Sequence, residues 1–151
     1  MGLFIEDLLN FGNLIDAELE IRLEPKEFKK AYPELDFEIR DGLISIRLKR
    51  KLFLFEKTQE VRLSEAAVKV RKGKDQRQWT FFRLISKEAL KKLLNMQGFT
   101  LEEDMFGVDV MPAVVHTETY EKIPRQFREK LLINSYRIGK GHLSVFFKFE
   151  R

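Results

Sequence analysis

With 151 residues, 44% hydrophobic and 34% charged, the chain has apolar material for one domain and one core, and too little for two. The absence of Cys excludes a disulfide framework, thiol catalysis and Cys-rich zinc sites, and the longest unbroken apolar runs, four or five residues, fall far short of the ~20 a membrane span requires. The net charge of +4 divides into −6 over residues 1–46, +10 over 47–92 and 0 over 93–151, so the middle of the chain attracts anions unless the acidic strands ahead of it lie alongside and cancel it.

Leu3, Phe4, Leu8 and Phe11 fall near one helical face and predict a short amphipathic helix over 1–11. The segment has no basic region or cleavage signal, which predicts a soluble cytoplasmic protein. The period then becomes two. Ala17, Leu19, Ile21 and Leu23 alternate with Asp16, Glu18, Glu20, Arg22 and Glu24, the pattern of a half-buried strand. Pro25 opens a short helix with Phe28, Ala31 and Tyr32 on its apolar face, and Pro33 closes it. Next, Leu35–Arg40 and Leu43–Leu48 flank Asp41-Gly42, a preferred two-residue hairpin turn. That turn sets Ile39 opposite Ile44, Phe37 opposite Ile46 and Leu35 opposite Leu48 on one face. On the other face Asp36 meets Arg47 and Glu34 meets Lys49, opposite charges contributing roughly 0.2–1 kcal/mol per pair.

The second strand is expected to run on to Phe55, its outer face reading Arg47, Lys49, Lys51, Phe53, Phe55. Val61 and Leu63 begin another alternation that shifts phase at Ser64-Glu65, as at a bulge or bend, and resumes with Ala66, Val68 and Val70. After a polar turn over Arg71–Asp75, the stretch Gln78–Ile85 is apolar on both faces. It predicts a strand covered on both sides, by a helix or by a second subunit. Ser86 is placed to cap a helix running to Gln97, with Ala89, Leu90, Leu93 and Leu94 on one face, Lys87, Lys91 and Lys92 on the other, and Gly98 as its stop. Strands are expected at Val108–Met111 and Val114–Thr119, and a short helix at Pro124–Leu132. A closing hairpin turns at Lys140-Gly141, with Ile138 facing Leu143, Tyr136 facing Val145 and Asn134 facing Phe147. The expected fold is α+β: one domain over 1–151, in which a curved antiparallel β-sheet packs around one main amphipathic helix, Ser86–Gln97, with short accessory helices.

Motifs for chemistry are sparse. His116 and Glu118 would share a strand face, but two ligands fall short of the three or four a zinc ion takes. The acidic residues Glu102, Glu103, Asp104 and Asp109 lack the spacing of a calcium loop and read as a solvated loop. There is no nucleophile elbow, phosphate loop or dinucleotide fingerprint. With no catalytic motif found, an enzyme is not the favoured reading, and no catalytic, metal or cofactor residue is singled out.

Two surfaces remain. Arg47, Lys49, Lys51, Phe53 and Phe55, with Arg71, Lys72, Lys74 and Arg77, would form a patch for an anionic headgroup, a partner protein or single-stranded nucleic acid stacked on the rings. Trp79, Phe81, Leu90, Leu93 and Leu94 would line an apolar interior that the 14 Phe either fill or leave hollow. The order strand, short helix, hairpin over Asp16–Leu23, Pro25–Pro33 and Leu35–Leu48, echoed in Ile123–Leu132 and Ile133–Phe149, resembles bacterial tubular lipid-binding domains over about half the chain. The resemblance lies in elements rather than residues, so no ligand residue follows from it. It implies an apolar or amphipathic, lipid-like ligand. A nucleic-acid-binding module and a self-assembling or protein-interaction domain are the other functions this sequence predicts.

Overall fold

In the computed structural model, which describes residues 18–72 and 77–150, the strands form two antiparallel sheets. One has the order β1 (Leu19–Leu23), β9 (Leu143–Phe149), β8 (Leu131–Ile138). The other runs β2 (Leu35–Arg40), β3 (Leu43–Leu52), β4 (Phe55–Lys72), β5 (Gln78–Ser86), β7 (Met105–Val108), β6 (Phe99–Glu102). The helix expected over 1–11 and the residue Lys74 lie outside the described residues.

Alternation builds the core. Leu19, Ile21 and Leu23 of β1, Leu35, Phe37 and Ile39 of β2, Ile44 and Ile46 of β3, Val61 and Leu63 of β4, and Val145 and Phe147 of β9 are all buried in one cluster. Each large side chain contributes about 1.5–3 kcal/mol on full burial. Helix α1 (Pro25–Ala31) starts where Pro25 supplies a preset φ and Glu24 and Glu27 form a reciprocal capping box. It buries Phe28, stacked on Phe37 at 4.4 Å between centroids. The Asp41-Gly42 hairpin has the expected register, Leu35↔Leu48 through Arg40↔Leu43, with Gly42 at φ +76°. The strand–helix–hairpin run thus exists as β1–α1–β2–β3.

The phase shift in β4 is a large bulge. Glu65 pairs with Phe82 and Val70 with Thr80, so Ala66–Lys69 face Phe81 alone. The gap is filled from the other sheet: the Tyr136 hydroxyl on β8 donates to the Phe81 carbonyl at 2.6 Å and accepts from the Ala66 N–H at 3.1 Å. One phenol thereby satisfies two buried backbone groups and fastens the two sheets together.

Several expectations are corrected. No main helix exists among the described residues: the longest, α1, has seven residues, and α2 spans only Leu90–Leu94. Ser86 cannot cap a helix because it ends β5, paired with Arg62. The strands expected at Val108–Met111 and Val114–Thr119 do not form: strand β7 ends at Val108 and short helices follow. Helix α3 (Met111–Val114) begins where the Asp109 carboxylate accepts from the Met111 N–H, and α4 (Glu118–Lys122) where the Thr117 hydroxyl accepts from the Tyr120 N–H. The helix expected at Pro124–Leu132 is α5 (Arg125–Arg128), since Leu131 and Leu132 belong to β8. Ile138↔Leu143 and Tyr136↔Val145 pair as expected. However, a bulge between Ile133 and Ser135 gives Phe147 to Ile133 rather than to Asn134.

Candidate docking site

Strand β3 does not run on through Phe55; the chain reverses at Phe53-Leu54. Pairing of β3 with β2 ends at Leu48, and pairing of β4 with β5 begins only at Arg62. The rungs Lys49↔Thr58, Arg50↔Lys57, Lys51↔Glu56 and Leu52↔Phe55 therefore stand outside the sheet as a two-stranded ribbon. Four rungs reach ~14 Å at ~3.4 Å per residue.

The end of this ribbon is apolar and bare. Phe53 is 106% exposed, Leu54 94% and Phe55 76%. Phe53 also has φ +54°, in the left-handed region where a bulky residue is strained by about 1–2 kcal/mol and where Gly or Asn is the ordinary choice. Behind the tip the sequence places Lys49, Arg50, Lys51 and Lys57, with Glu56 as the acidic residue in 49–58. Lys49 and Lys57 are exposed and lie on opposite faces of the ribbon, because Lys49 pairs with Thr58 and Lys57 with Arg50. Phe55, paired with Leu52, shares the Leu48 face and not the Lys49 face.

One step further from the tip the cations are matched by carboxylates. Arg47 reaches Glu38 at 2.5 Å and Glu60 at 3.4 Å, Arg40 reaches Glu38 at 2.6 Å, and Arg62 reaches Glu60 at 2.8 Å. The hydrogen bond from Arg40, followed by the charges of Arg40 and Arg47, holds the Glu38 carboxyl below its ordinary range. The acidic β2 strand thus cancels part of the basic segment, as the charge pattern allowed.

The other cations of the expected patch lie at the far end of β4. Arg71 bonds Glu102 at 2.8 Å, Arg77 lies 3.5 Å from the Asp109 carboxylate and over the Trp79 ring, and Lys72 is exposed. The fold therefore holds Arg47, Lys49, Lys51, Phe53 and Phe55 in one place and Arg71, Lys72 and Arg77 in another. The residues expected to line an interior also divide. Trp79 and Phe81 occupy the face of β5 opposite Phe82, while Leu93 is buried in the main core and Leu90 and Leu94 pack against it. Between Phe28, Phe37, Ile46, Phe82, Val108 and Leu143 the packing leaves no room for a water-sized sphere.

His116 and Glu118 do not share a strand. They flank the start of α4 at the rim of an open, charged cleft of about 430 Å³ with Arg22, Lys26 and Glu27. Glu102, Glu103 and Asp104 sit at the β6–β7 turn, whereas Asp109 is buried beyond the other end of β7. Among the described residues no group of three or more His, Asp or Glu is placed to hold a metal ion, and no helix is long and apolar enough to cross a membrane. The residue that sequence reasoning missed is Leu54. Its signal was four consecutive apolar residues, Leu52–Phe55, set between Lys51 and Glu56. Compared with protein-family models, with curated proteins and with solved structures, the chain matches none.

Proposed function

We propose that this protein is a non-enzymatic binding domain for an apolar or amphipathic, lipid-like ligand, which it meets at the tip of the β3–β4 ribbon and not in its interior. The observation that carries this reading is the exposure of Phe53, Leu54 and Phe55 together at the apex of a projecting hairpin. A contiguous apolar point of that kind is costly in water unless something covers it. Covering it would contribute roughly 1.5–3 kcal/mol per side chain, before the cost of association. The filled core supports a surface site, since an interior ligand would have to displace packed side chains.

The test is titration of the protein with zwitterionic dodecylphosphocholine micelles, followed by backbone amide NMR. Shifts centred on 52–56 are expected, insensitive to salt, and abolished in the Phe53→Ser/Leu54→Ser/Phe55→Ser variant. Shifts spread over core residues with the tip silent would refute the surface site.

A further inference from the structure

We infer that the surface this tip meets is an anionic lipid bilayer, an inference that rests on the tip-docking reading above. Charge and geometry together point there. Lys49 and Lys57 stand on opposite faces of the ribbon in adjacent rungs, so the cations ring the apolar tip instead of lining one side of it. From those rungs it is two or three residues per strand to the Leu52↔Phe55 rung that carries the turn, ~7–10 Å. That matches the depth of ~5–10 Å to which interfacial apolar groups bury below the headgroups. With Phe53, Leu54 and Phe55 at the acyl boundary, the ammonium groups lie at the level of the phosphates.

Below this collar the charges are paired. Arg47, Arg40 and Arg62 are tied to Glu38 and Glu60, so the cations there are largely neutralised by ion pairs. The shape argues against nucleic acid. Bases are held in a groove lined by aromatics and cations, whereas here the exposed apolar residues crown a projecting hairpin with cations on both of its faces, and the apex is convex. A convex point suits a medium that deforms around it. Phe53 adds to this: a fully exposed aromatic ring stands at a backbone position that favours Gly, where packing within the chain does not call for it.

The experiment is cosedimentation of the full chain with sucrose-loaded vesicles of phosphatidylcholine alone or mixed with phosphatidylglycerol. Binding to the mixed vesicles is expected, falling as salt rises, with little to the neutral ones. Reversal of two collar charges in Lys49→Glu/Lys57→Glu should weaken it by at least about 25-fold, on the order of fivefold per cation. The same variant should bind micelles as the wild type does, and Lys49→Arg/Lys57→Arg should keep vesicle binding. Equal partition into both vesicle types, or micelle binding with no gain from phosphatidylglycerol, would overturn the anionic bilayer and leave the tip reading standing. If micelles and vesicles both leave the chain in the supernatant, the tip reading falls with it. Tip-dependent capture of a single-stranded oligonucleotide in preference to anionic vesicles would overturn the inference in favour of nucleic acid.

Discussion

Replacing Phe53 by Gly should make the protein more stable while removing one of the exposed side chains of the ribbon tip. At φ +54° the Phe backbone carries a strain of about 1–2 kcal/mol that Gly does not. Against this stands the extra conformational freedom that Gly brings to the unfolded chain, about 0.5–1 kcal/mol. No packing is forfeited, because the ring is fully exposed. The balance is a gain of about 0.5–1 kcal/mol, or a rise of roughly 1–4 °C in Tm for a chain of this size. Urea denaturation of Phe53→Gly beside the wild type measures it: the midpoint should rise with the slope unchanged. Micelle binding should move in the opposite direction. A loss of stability greater than about 0.5 kcal/mol would refute the reasoning, since it would mean that the ring is packed against the protein or that the loop is unstrained.

Two further outcomes follow from the tyrosines. Tyr136→Phe leaves the buried Ala66 N–H and Phe81 carbonyl without the hydroxyl they share, and should cost about 2–4 kcal/mol in denaturant unfolding. Burial, the larger influence in both cases, raises the phenols of Tyr32 and Tyr136 well above the ordinary value of 10.0. The folded protein keeps these protons while the unfolded chain releases them, so their contribution is complete below about pH 10 and is lost as the pH rises above it. Each phenol steepens that loss by up to about 1.4 kcal/mol per pH unit, and thermal unfolding across this range should show a shallower decline for Tyr136→Phe.

Sequence legibility tracked how local each signal was. The two hairpins turning at Asp41-Gly42 and Lys140-Gly141 were readable because a glycine at positive φ marks the turn and alternation then fixes the register. Phe53-Leu54 carries no such mark, since neither residue favours a positive φ, and so the strand was extended through it. The unmarked reversal puts Phe55 on the Leu48 face, opposite to where an unbroken strand would carry it, and leaves the tip bare. The helix at 86–97 was overdrawn for a different reason: apolar spacing was satisfied by Leu90, Leu93 and Leu94, yet Ser86 had already been claimed by a long-range ladder to Arg62. At 105–119 the helix-starting residues Asp109 and Thr117 were present in the sequence, but helices of four and five residues have too few turns to show a period. The division of Trp79 and Phe81 from Leu93 was beyond reach for the same reason as the covering of β5. Which face of a doubly apolar strand meets which partner is decided by tertiary packing.

Strand β4 has a mechanical consequence. It runs 18 residues from the apex of the ribbon into the middle of the larger sheet, roughly 60 Å of continuous chain. Its ladder bonds lie across the strand, so a pull on the tip along this axis loads many of them at once, in shear, instead of unzipping them singly. The ladder to β5 is interrupted opposite Phe81, and there the Tyr136 phenol supplies the cross-link. Tension applied at the tip would therefore reach the three-stranded sheet at Tyr136, and beside it through Lys69, which donates to the Tyr136 carbonyl, and Gln78, which bonds the backbone of Leu131 and Ile133, so the load divides over several cross-links between the sheets.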